Sequence, residues 1–191
     1  MAKTVKLKPP LTDQDVVELH SGDQVLISGV IYTARDSAHK RLVEALAQGR
    51  DLPVDLHGQI LYYVGPSPAR PGAVIGAAGP TTASRMDSYV SALLEQGLKA
   101  MIGKGKRDPG VIAALSQYKA VYLAATGGAG ALISKCIKKA EVVAFPELGP
   151  EAIHRLEVED LPTMVINDCH GGDLYEAGVR QYRRGKLAAG G

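Results

Sequence analysis

Cysteine and long apolar runs are scarce in this sequence, and each shortage excludes a class of protein. The 191 residues include only two cysteines, Cys136 and Cys169. Two thiols build no disulfide framework, and they are too few for the four thiolates that usually bind an iron–sulfur cluster. No segment reaches the ~18 uninterrupted apolar residues of a membrane span, and residues 1–8 lack the apolar core of a signal peptide. We therefore expect a protein of a reducing, cytoplasmic compartment that is neither exported nor embedded in a membrane.

An excess of charge of one sign is also missing. The 22 Lys and Arg residues against 20 Asp and Glu residues give a net charge of +2, which excludes binding to nucleic acid through bulk charge. Apolar residues make up 46% and charged residues 22%, as in an ordinary soluble globular protein. No internal repeat or low-complexity tract divides the chain. We expect a single domain over residues 1–191 that begins with an extended arm at residues 1–10.

Short β-branched and apolar runs alternate with helical patterns along the chain. Strands are predicted at 24–32, 60–66, 100–103, 120–125, 142–145, 156–159 and 163–168. Helices are predicted after Thr12, from about 33 to Gly49, up to Gly97, and at 110–117, 131–140 and 173–183. This alternation is typical of an α/β domain with a largely parallel sheet. Gly and Pro residues interrupt it at 50–75, which indicates a second, smaller sheet.

The carboxyl ends of parallel strands gather the functional loops, and the first two such loops carry arginines. Arg35 directly follows the first long strand, at a helix start whose free N–H groups favour an anion. The nearby Lys40 and Arg41 could equally be solvated surface residues. The second loop offers the hydroxyls of Thr81, Thr82 and Ser84, and Arg85 stands at the i+4 position from Thr81, where a helix would put both on one face. The alternative is that a threonine here only caps the helix.

The third and fourth loops are rich in glycine. Lys104 lies between Gly103 and Gly105, which leave it free to reach a ligand. Residues 126–130 resemble a dinucleotide turn but lack the third small residue of G-x-G-x-x-G, so we interpret them as a tight turn. The histidines and cysteines show no metal-ligand spacing, and residues 167–173, which include Cys169 and His170, are interpreted as structural or interfacial.

Three separated cations therefore stand at three strand ends, with hydroxyls beside one of them. Arg35, Arg85 and Lys104 suit a small dianion with two carboxylates, because an arginine grips a carboxylate through two parallel hydrogen bonds.

Three ordered motifs resemble a known family. They are Ala34-Arg35-Asp36-x-Ala38-His39-Lys40-Arg41, Gly79-Pro80-Thr81-Thr82-x-x-Arg85-Met86-Asp87 and Gly103-Lys104-Gly105. Their order and spacing resemble those of the β subunit, or C-terminal domain, of class I fumarases and L(+)-tartrate dehydratases. The resemblance runs from about residue 11 to residue 185. It implies a three-layer swivelling β/β/α domain.

The resemblance also implies a partner, a cofactor and a reaction. The partner α subunit would carry a [4Fe-4S] cluster, in an α2β2 assembly, and this chain would hold no metal. The expected reaction is the reversible hydration of fumarate to (S)-malate. Arg35, Arg85 and Lys104 would bind the substrate carboxylates and Thr81 would stand at the reacting carbon, with help from a partner carboxylate in proton transfer. L(+)-tartrate dehydration, or a non-catalytic module for dicarboxylate binding or subunit assembly, remains the alternative.

Overall fold

Apolar and β-branched runs form seven strands that belong to one hydrogen-bonded sheet. The computed structural model describes residues 3–183. The strands are β1 (Thr4–Leu7), β2 (Gln24–Thr33), β3 (Ile60–Tyr62), β4 (Ala100–Gly103), β5 (Val121–Ala124), β6 (Ile137–Ala144) and β7 (Ile153–Asn167). The helices are α1 (Asp13–Val17), α2 (Asp36–Ala47), α3 (Asp87–Glu95), α4 (Pro109–Tyr118), α5 (Gly130–Ile133) and α6 (Leu174–Tyr182). Short 3-10 turns cover Ala83–Met86, Ser134–Cys136 and Pro146–Glu151.

The strand order makes a closed ring. Strands β1 to β5 lie side by side in parallel, in chain order. The long strand β7 then runs antiparallel to β5 and to β2 at once, with Leu123 opposite Val165 and Val25 opposite Thr163. Five strands, β2, β3, β4, β5 and β7, therefore close on themselves, while β1 and β6 extend the ring outward on β2 and β7.

Two apolar clusters give the fold its layers. Because side chains of a strand alternate between its two faces, neighbouring residues of β3 separate: Ile60 and Tyr62 join one cluster and Leu61 joins the other. The first cluster lies between the parallel strands and β7, with Leu156 and Val165 in it. The second is covered by α2, α3 and α4. The result is a β/β/α arrangement in which helices shield one face of the parallel strands.

The predicted α/β class with a mostly parallel sheet is confirmed, whereas the separate smaller sheet is wrong. Residues 50–75 contribute β3 to the main sheet and otherwise form loops. The second β layer is instead the antiparallel part, β6 and β7, which is continuous with the parallel strands through pairing of β7 with both β2 and β5. A hydrogen-bonded connection of this kind joins residues far apart in sequence, so local composition gives no sign of it.

Two local predictions in the last third of the chain are also wrong. The helix expected at 131–140 lasts one turn, Gly130–Ile133, and a strand begins at Ile137. The two short strands expected at 156–159 and 163–168 are parts of the single strand β7. At 131–140, pairing with β7 overrides the local helical pattern. Between the two strands expected at 156–159 and 163–168, pairing along β7 overrides the local signal for a break.

The N-terminal segment and the helix ends follow the local chemistry of the sequence. Residues 4–7 of the expected arm pair with β2 as strand β1. Thr12 and Asp15 form a capping box at the start of α1. Gly49, with φ at +66°, follows the end of α2 as a glycine does at a helix C-terminus. Within the part of the chain that the structure describes, no helix combines the length and the apolar character needed to cross a membrane.

Candidate functional site

The predicted site residues lie at the carboxyl ends of neighbouring parallel strands. Arg35 stands between the end of β2 and the start of α2, and Lys104 directly follows β4. Thr81 connects two strand ends: its N–H donates to the Tyr63 carbonyl at 2.7 Å, and its carbonyl accepts from the Lys104 N–H at 3.1 Å. Within the segment 80–82 the bridge partner of Lys104 is Thr82, and Thr81 contacts Lys104 through this backbone hydrogen bond.

Arg35 and Arg85 meet at a single carboxylate, that of Asp36. Asp36 Oδ1 accepts from Arg85 Nε at 2.7 Å, and Asp36 Oδ2 accepts from Arg35 Nε at 3.1 Å. The two arginines are fifty residues apart in sequence, and the start of α2 brings them together because Asp36 is its first residue. Two of the three predicted cations therefore form one cluster.

Arg35 is held more firmly than Arg85. Glu151 Oε1 lies 3.4 Å from Arg35 Nε, and Glu151 Oε2 accepts from the Ser37 N–H at 2.8 Å, so one carboxylate supports both Arg35 and the first turn of α2. A Cβ added at Gly65 would lie 2.9 Å from Arg35 Nη1, so the guanidinium rests against a bare stretch of backbone. The Arg35 side chain is 21% exposed and that of Arg85 is 51% exposed.

The structure brings the glycine-rich loops to the same edge. Lys104 is exposed, and its Cδ would lie 3.6 Å from a Cβ added at Gly127. The loop that holds Gly127 also packs against the loop before Thr81, since the Ala78 N–H donates to the Gly130 carbonyl at 3.0 Å. A Cβ at Gly130 would come within 2.9 Å of the Gly79 nitrogen. The close approach of these two backbones requires a residue without a side chain at Gly130.

The structure does not support the capping alternative for the threonines, and it corrects the argument that joined Thr81 to Arg85. The turn Ala83–Met86 begins after Thr82, whose side chain makes no capping hydrogen bond. Thr82 has an extended backbone (φ −61°, ψ 120°), so Thr81 and Arg85 are not one helical turn apart. Arg85 instead turns toward Asp36 on the neighbouring helix.

Electrostatics around Asp36 keep this carboxylate ionised. Partial burial by itself would raise the pKa of Asp36, but its own backbone N–H and the guanidiniums of Arg35 and Arg85 bring that pKa below its usual value. Asp36 and the two guanidiniums together carry a formal charge of +1, and the carboxylate of Glu151 beside Arg35 offsets it.

A buried polar layer lies behind the site. His39 is fully buried, and its Nδ1 lies 3.1 Å from the Arg35 carbonyl, which can only accept; the neutral ring therefore carries its proton on Nδ1. Burial lowers the pKa of His39 to about 4, and the nearby Arg107 adds to the effect. Arg107 is itself buried and donates from Nε to Asp87 Oδ1 at 2.7 Å. Tyr63, which accepts the Thr81 N–H, packs edge-on against His39.

In residues 167–173, which are interpreted from the sequence as structural or interfacial, Asp168 organises a turn. Asp168 accepts from the N–H groups of Ser21, His170 and Gly172 at 2.7 to 2.9 Å. Burial raises the pKa of the Cys169 thiol, which disfavours its nucleophilic thiolate form. Between residues 3 and 183, no group of three or more His, Cys, Asp or Glu side chains could hold a metal ion. The side chains of residues 3–183 therefore do not fit an iron–sulfur cluster.

In the sequence analysis Asp36 and His39, which stand in the first motif, have no assigned role, and Glu151 is not singled out. Asp36 had a local signal, because it directly follows Arg35 at a helix start, where an acidic residue interacts favourably with the helix dipole. His39 stands one turn into the same helix, so its contact with the Arg35 carbonyl also follows from helical spacing. Glu151 has no signal, since its partners Arg35 and Ser37 are more than a hundred residues away.

Comparison with known proteins agrees with the resemblance seen in the motifs. A putative fumarate hydratase class I of Geobacillus stearothermophilus is 38% identical over 179 residues, which cover 91% of this chain and 34% of that protein. The aerobic class I fumarate hydratase of Salmonella typhimurium is 37% identical over 179 residues, or 92% of this chain and 31% of that protein. The chain therefore spans about a third of the length of these relatives.

A second kind of relative is matched over most of its length. A putative L(+)-tartrate dehydratase subunit beta of Methanocaldococcus jannaschii is 39% identical over 172 residues, which cover 87% of this chain and 88% of that protein. The family model described as Fumarase C-terminus matches residues 1–178. With nearly the whole chain matched in both comparisons, the chain belongs to the Fumarase C-terminus family.

Proposed function

We propose that this chain is the β subunit of an iron–sulfur-dependent hydro-lyase that reversibly hydrates a C4 dicarboxylate, with fumarate to (S)-malate as the reaction. The observation that carries the proposal is the convergence of Arg35 and Arg85 on one carboxylate at the strand ends that also present Thr81 and Lys104. Its family membership supports the same assignment, because its relatives include class I fumarate hydratases.

The three cations would bind the two carboxylates of the substrate. Hydration adds a hydroxyl to one carbon of the double bond and a proton to the next. Before the proton is added, the carbon that will receive it carries negative charge, and this charge spreads onto the carboxylate attached to it. Guanidiniums already in position stabilise that charge without reorganising, and such stabilisation is among the largest contributions to catalysis. Arg35 and Arg85 are therefore proposed to act on the transition state as well as on binding.

Thr81 is proposed to stand at the reacting carbon. Its backbone is fixed on both sides, by the Tyr63 carbonyl and by the Lys104 N–H, so its hydroxyl can move only by rotation about χ1. A threonine hydroxyl is a weak acid and a weaker base at neutral pH, so proton transfer needs a second group. We propose that a partner carboxylate provides it.

The iron–sulfur cluster is proposed to belong to a partner α subunit, in an α2β2 assembly. The relative of Methanocaldococcus jannaschii that this chain covers to 88% is named a subunit beta, and a β subunit implies a further chain. When bound in the partner, the cluster would act as a Lewis acid toward a substrate oxygen.

L(+)-tartrate dehydration is the second candidate reaction. It is favoured by the match to the tartrate dehydratase subunit, which spans most of that protein where the matches to fumarate hydratases cover a third. Tartrate differs from malate by one hydroxyl, and the carboxylate-binding residues named here grip the same two groups in either substrate. These residues therefore do not distinguish the two substrates, and an assay of both is needed to choose between them.

The proposal is tested with the two chains together. The chain is purified with its partner, anaerobically and with iron and sulfide, and fumarate, malate and L(+)-tartrate are assayed. Without the partner we expect no activity. In the assembled enzyme Arg35→Lys or Arg85→Lys should lower kcat/KM about 30- to 150-fold, from the loss of about 2–3 kcal/mol, because an ammonium cannot reproduce the two-point grip.

The matched control is Arg41→Lys on the same helix, whose partner is the exposed Glu147. This variant should keep wild-type kinetics. Wild-type kinetics in both site variants would refute the substrate-binding role. Activity of this chain alone, after metal chelation, would refute the role of half an enzyme, and dicarboxylate binding without turnover in the assembled protein would favour a binding or assembly module.

A further inference from the structure

Asp36 joins two arginines that come from different loops. Each of its oxygens accepts a hydrogen bond from one arginine, Oδ1 from Arg85 Nε at 2.7 Å and Oδ2 from Arg35 Nε at 3.1 Å. The Asp36 side chain is 28% exposed, so it is lodged between the two arginines rather than free in solvent. A single carboxylate thus sets the distance between the two guanidiniums.

Both hydrogen bonds use the same atom of the guanidinium group. Arginine can donate five N–H bonds, one from Nε and four from the two Nη atoms. When Nε is bound to Asp36, the edge formed by Nη1 and Nη2 is still available for two parallel bonds to another carboxylate. Because each guanidinium is planar and rigid, fixing Nε also fixes the direction in which that edge points.

We propose that Asp36 is a positioning residue, which orients the Nη edges of Arg35 and Arg85 toward a dicarboxylate. The identity of that ligand rests on the proposed function, whereas the orientation rests on the hydrogen bonds alone. Asp36 also offsets the repulsion between two like charges that would otherwise push the guanidiniums apart. The substitution Asp36→Asn keeps the shape of the side chain, but an amide has one acceptor oxygen and no charge, so it could hold only one of the two arginines.

The surroundings make the two arginines respond differently. Arg35 has a second carboxylate near its Nε, that of Glu151 at 3.4 Å, and it rests against Gly65. For Arg85, Asp36 is the carboxylate partner found among residues 3–183. Loss of Asp36 should therefore release Arg85 more than Arg35, whereas loss of Glu151 should loosen Arg35 and leave Arg85 unchanged.

The orientation is measured without any substrate, by proton NMR of the arginine Nε–H groups of the full chain. Arg35→Lys and Arg85→Lys each remove one signal and so assign them. In Asp36→Asn, solvent exchange of the Arg85 Nε–H should become about tenfold faster, with a smaller change at Arg35, as expected for loss of a partly exposed charged hydrogen bond. Glu151→Gln should accelerate exchange only at Arg35, and Glu147→Gln, which removes a surface carboxylate beside α2, should change neither signal.

The contribution to the reaction is measured in the assembled enzyme. Asp36→Asn should raise KM about tenfold with a smaller effect on kcat, because the two edges no longer reach the two carboxylates together. Asp36→Glu keeps the charge and should recover part of the affinity, which a purely structural role of Asp36 would not predict.

The outcomes separate this inference from the function on which it builds. Unchanged Nε–H exchange at Arg85 in Asp36→Asn would overturn the positioning role, whatever the enzyme does. Faster exchange with wild-type KM would overturn the claim that the orientation serves binding. If the assembled wild-type protein acts on no dicarboxylate, the proposed function fails, and the exchange rates still decide whether Asp36 orients the arginines.

Discussion

Acidification should destabilise this protein through His39 before its carboxylates are titrated. His39 is fully buried, with a pKa of about 4 in the folded protein against an ordinary value of 6.5. The unfolded chain therefore binds a proton below about pH 6.5 that the folded chain does not bind until about pH 4. Above about pH 6.5 this residue does not affect the free energy of unfolding. That free energy falls as the pH drops from about 6.5 to about 4, and His39 lowers it no further below about pH 4.

The size of the effect follows from the two pKa values. At about pH 5 the unfolded state gains ~2 kcal/mol relative to the folded state from this one group, and the full difference of the two pKa values corresponds to ~3 kcal/mol. For a domain of this size ~2 kcal/mol lowers the melting temperature by about 4–8 °C.

The assay compares the wild-type chain with His39→Asn. The asparagine amide can still donate to the Arg35 carbonyl but does not titrate, so all other groups cancel in the comparison. Urea unfolding at about pH 7.5 and about pH 5 should show that the free energy of unfolding falls ~2 kcal/mol more in the wild type than in the variant. An equal fall in both proteins would refute the assignment of a buried, neutral His39.

Two further predictions concern other residues of the site and its support. Thr81→Val in the assembled enzyme should lower kcat more than it weakens substrate binding, as measured by steady-state kinetics and ligand titration; a lower melting temperature with unchanged kcat would instead make Thr81 a structural residue. Arg107→Met should lower the free energy of unfolding by about 3–5 kcal/mol, because it leaves the buried Asp87 carboxylate with the Asp108 N–H but without a cation to balance its charge. A loss below about 1 kcal/mol in urea unfolding would show that the pair is hydrated.

The candidate site could be predicted from the sequence because its cations follow strands that the sequence marks clearly. Arg35 and Lys104 come directly after apolar runs, and parallel strands bring their ends together. The contacts between side chains were not predictable in the same way. Asp36 and Arg85 meet only after α2 and the turn Ala83–Met86 have packed, and Glu151 reaches Arg35 from a separate 3-10 turn.

The fold was predictable where local pattern and tertiary pairing agree. Strand β2, helix α2 and helix α4 have the periodicity and the end signals of their types, and the structure has them within a few residues of the expected bounds. The pattern failed at 131–140, where apolar residues at helical spacing form strand β6 because β7 offers a partner. A local pattern cannot report a hydrogen-bonding partner that arrives later in the chain.

The closure of the ring by β7 also governs how the chain reaches this structure. Gln24 pairs with Met164, 140 residues later, so the whole segment between them must be synthesised before the ring can close. Joining such distant segments carries a large loop-closure entropy, which slows folding. Until then β2 and β5 each present an unpaired edge, the kind of surface on which strands of different molecules associate. Newly made chains are therefore most exposed to aggregation in the interval just before β7 docks.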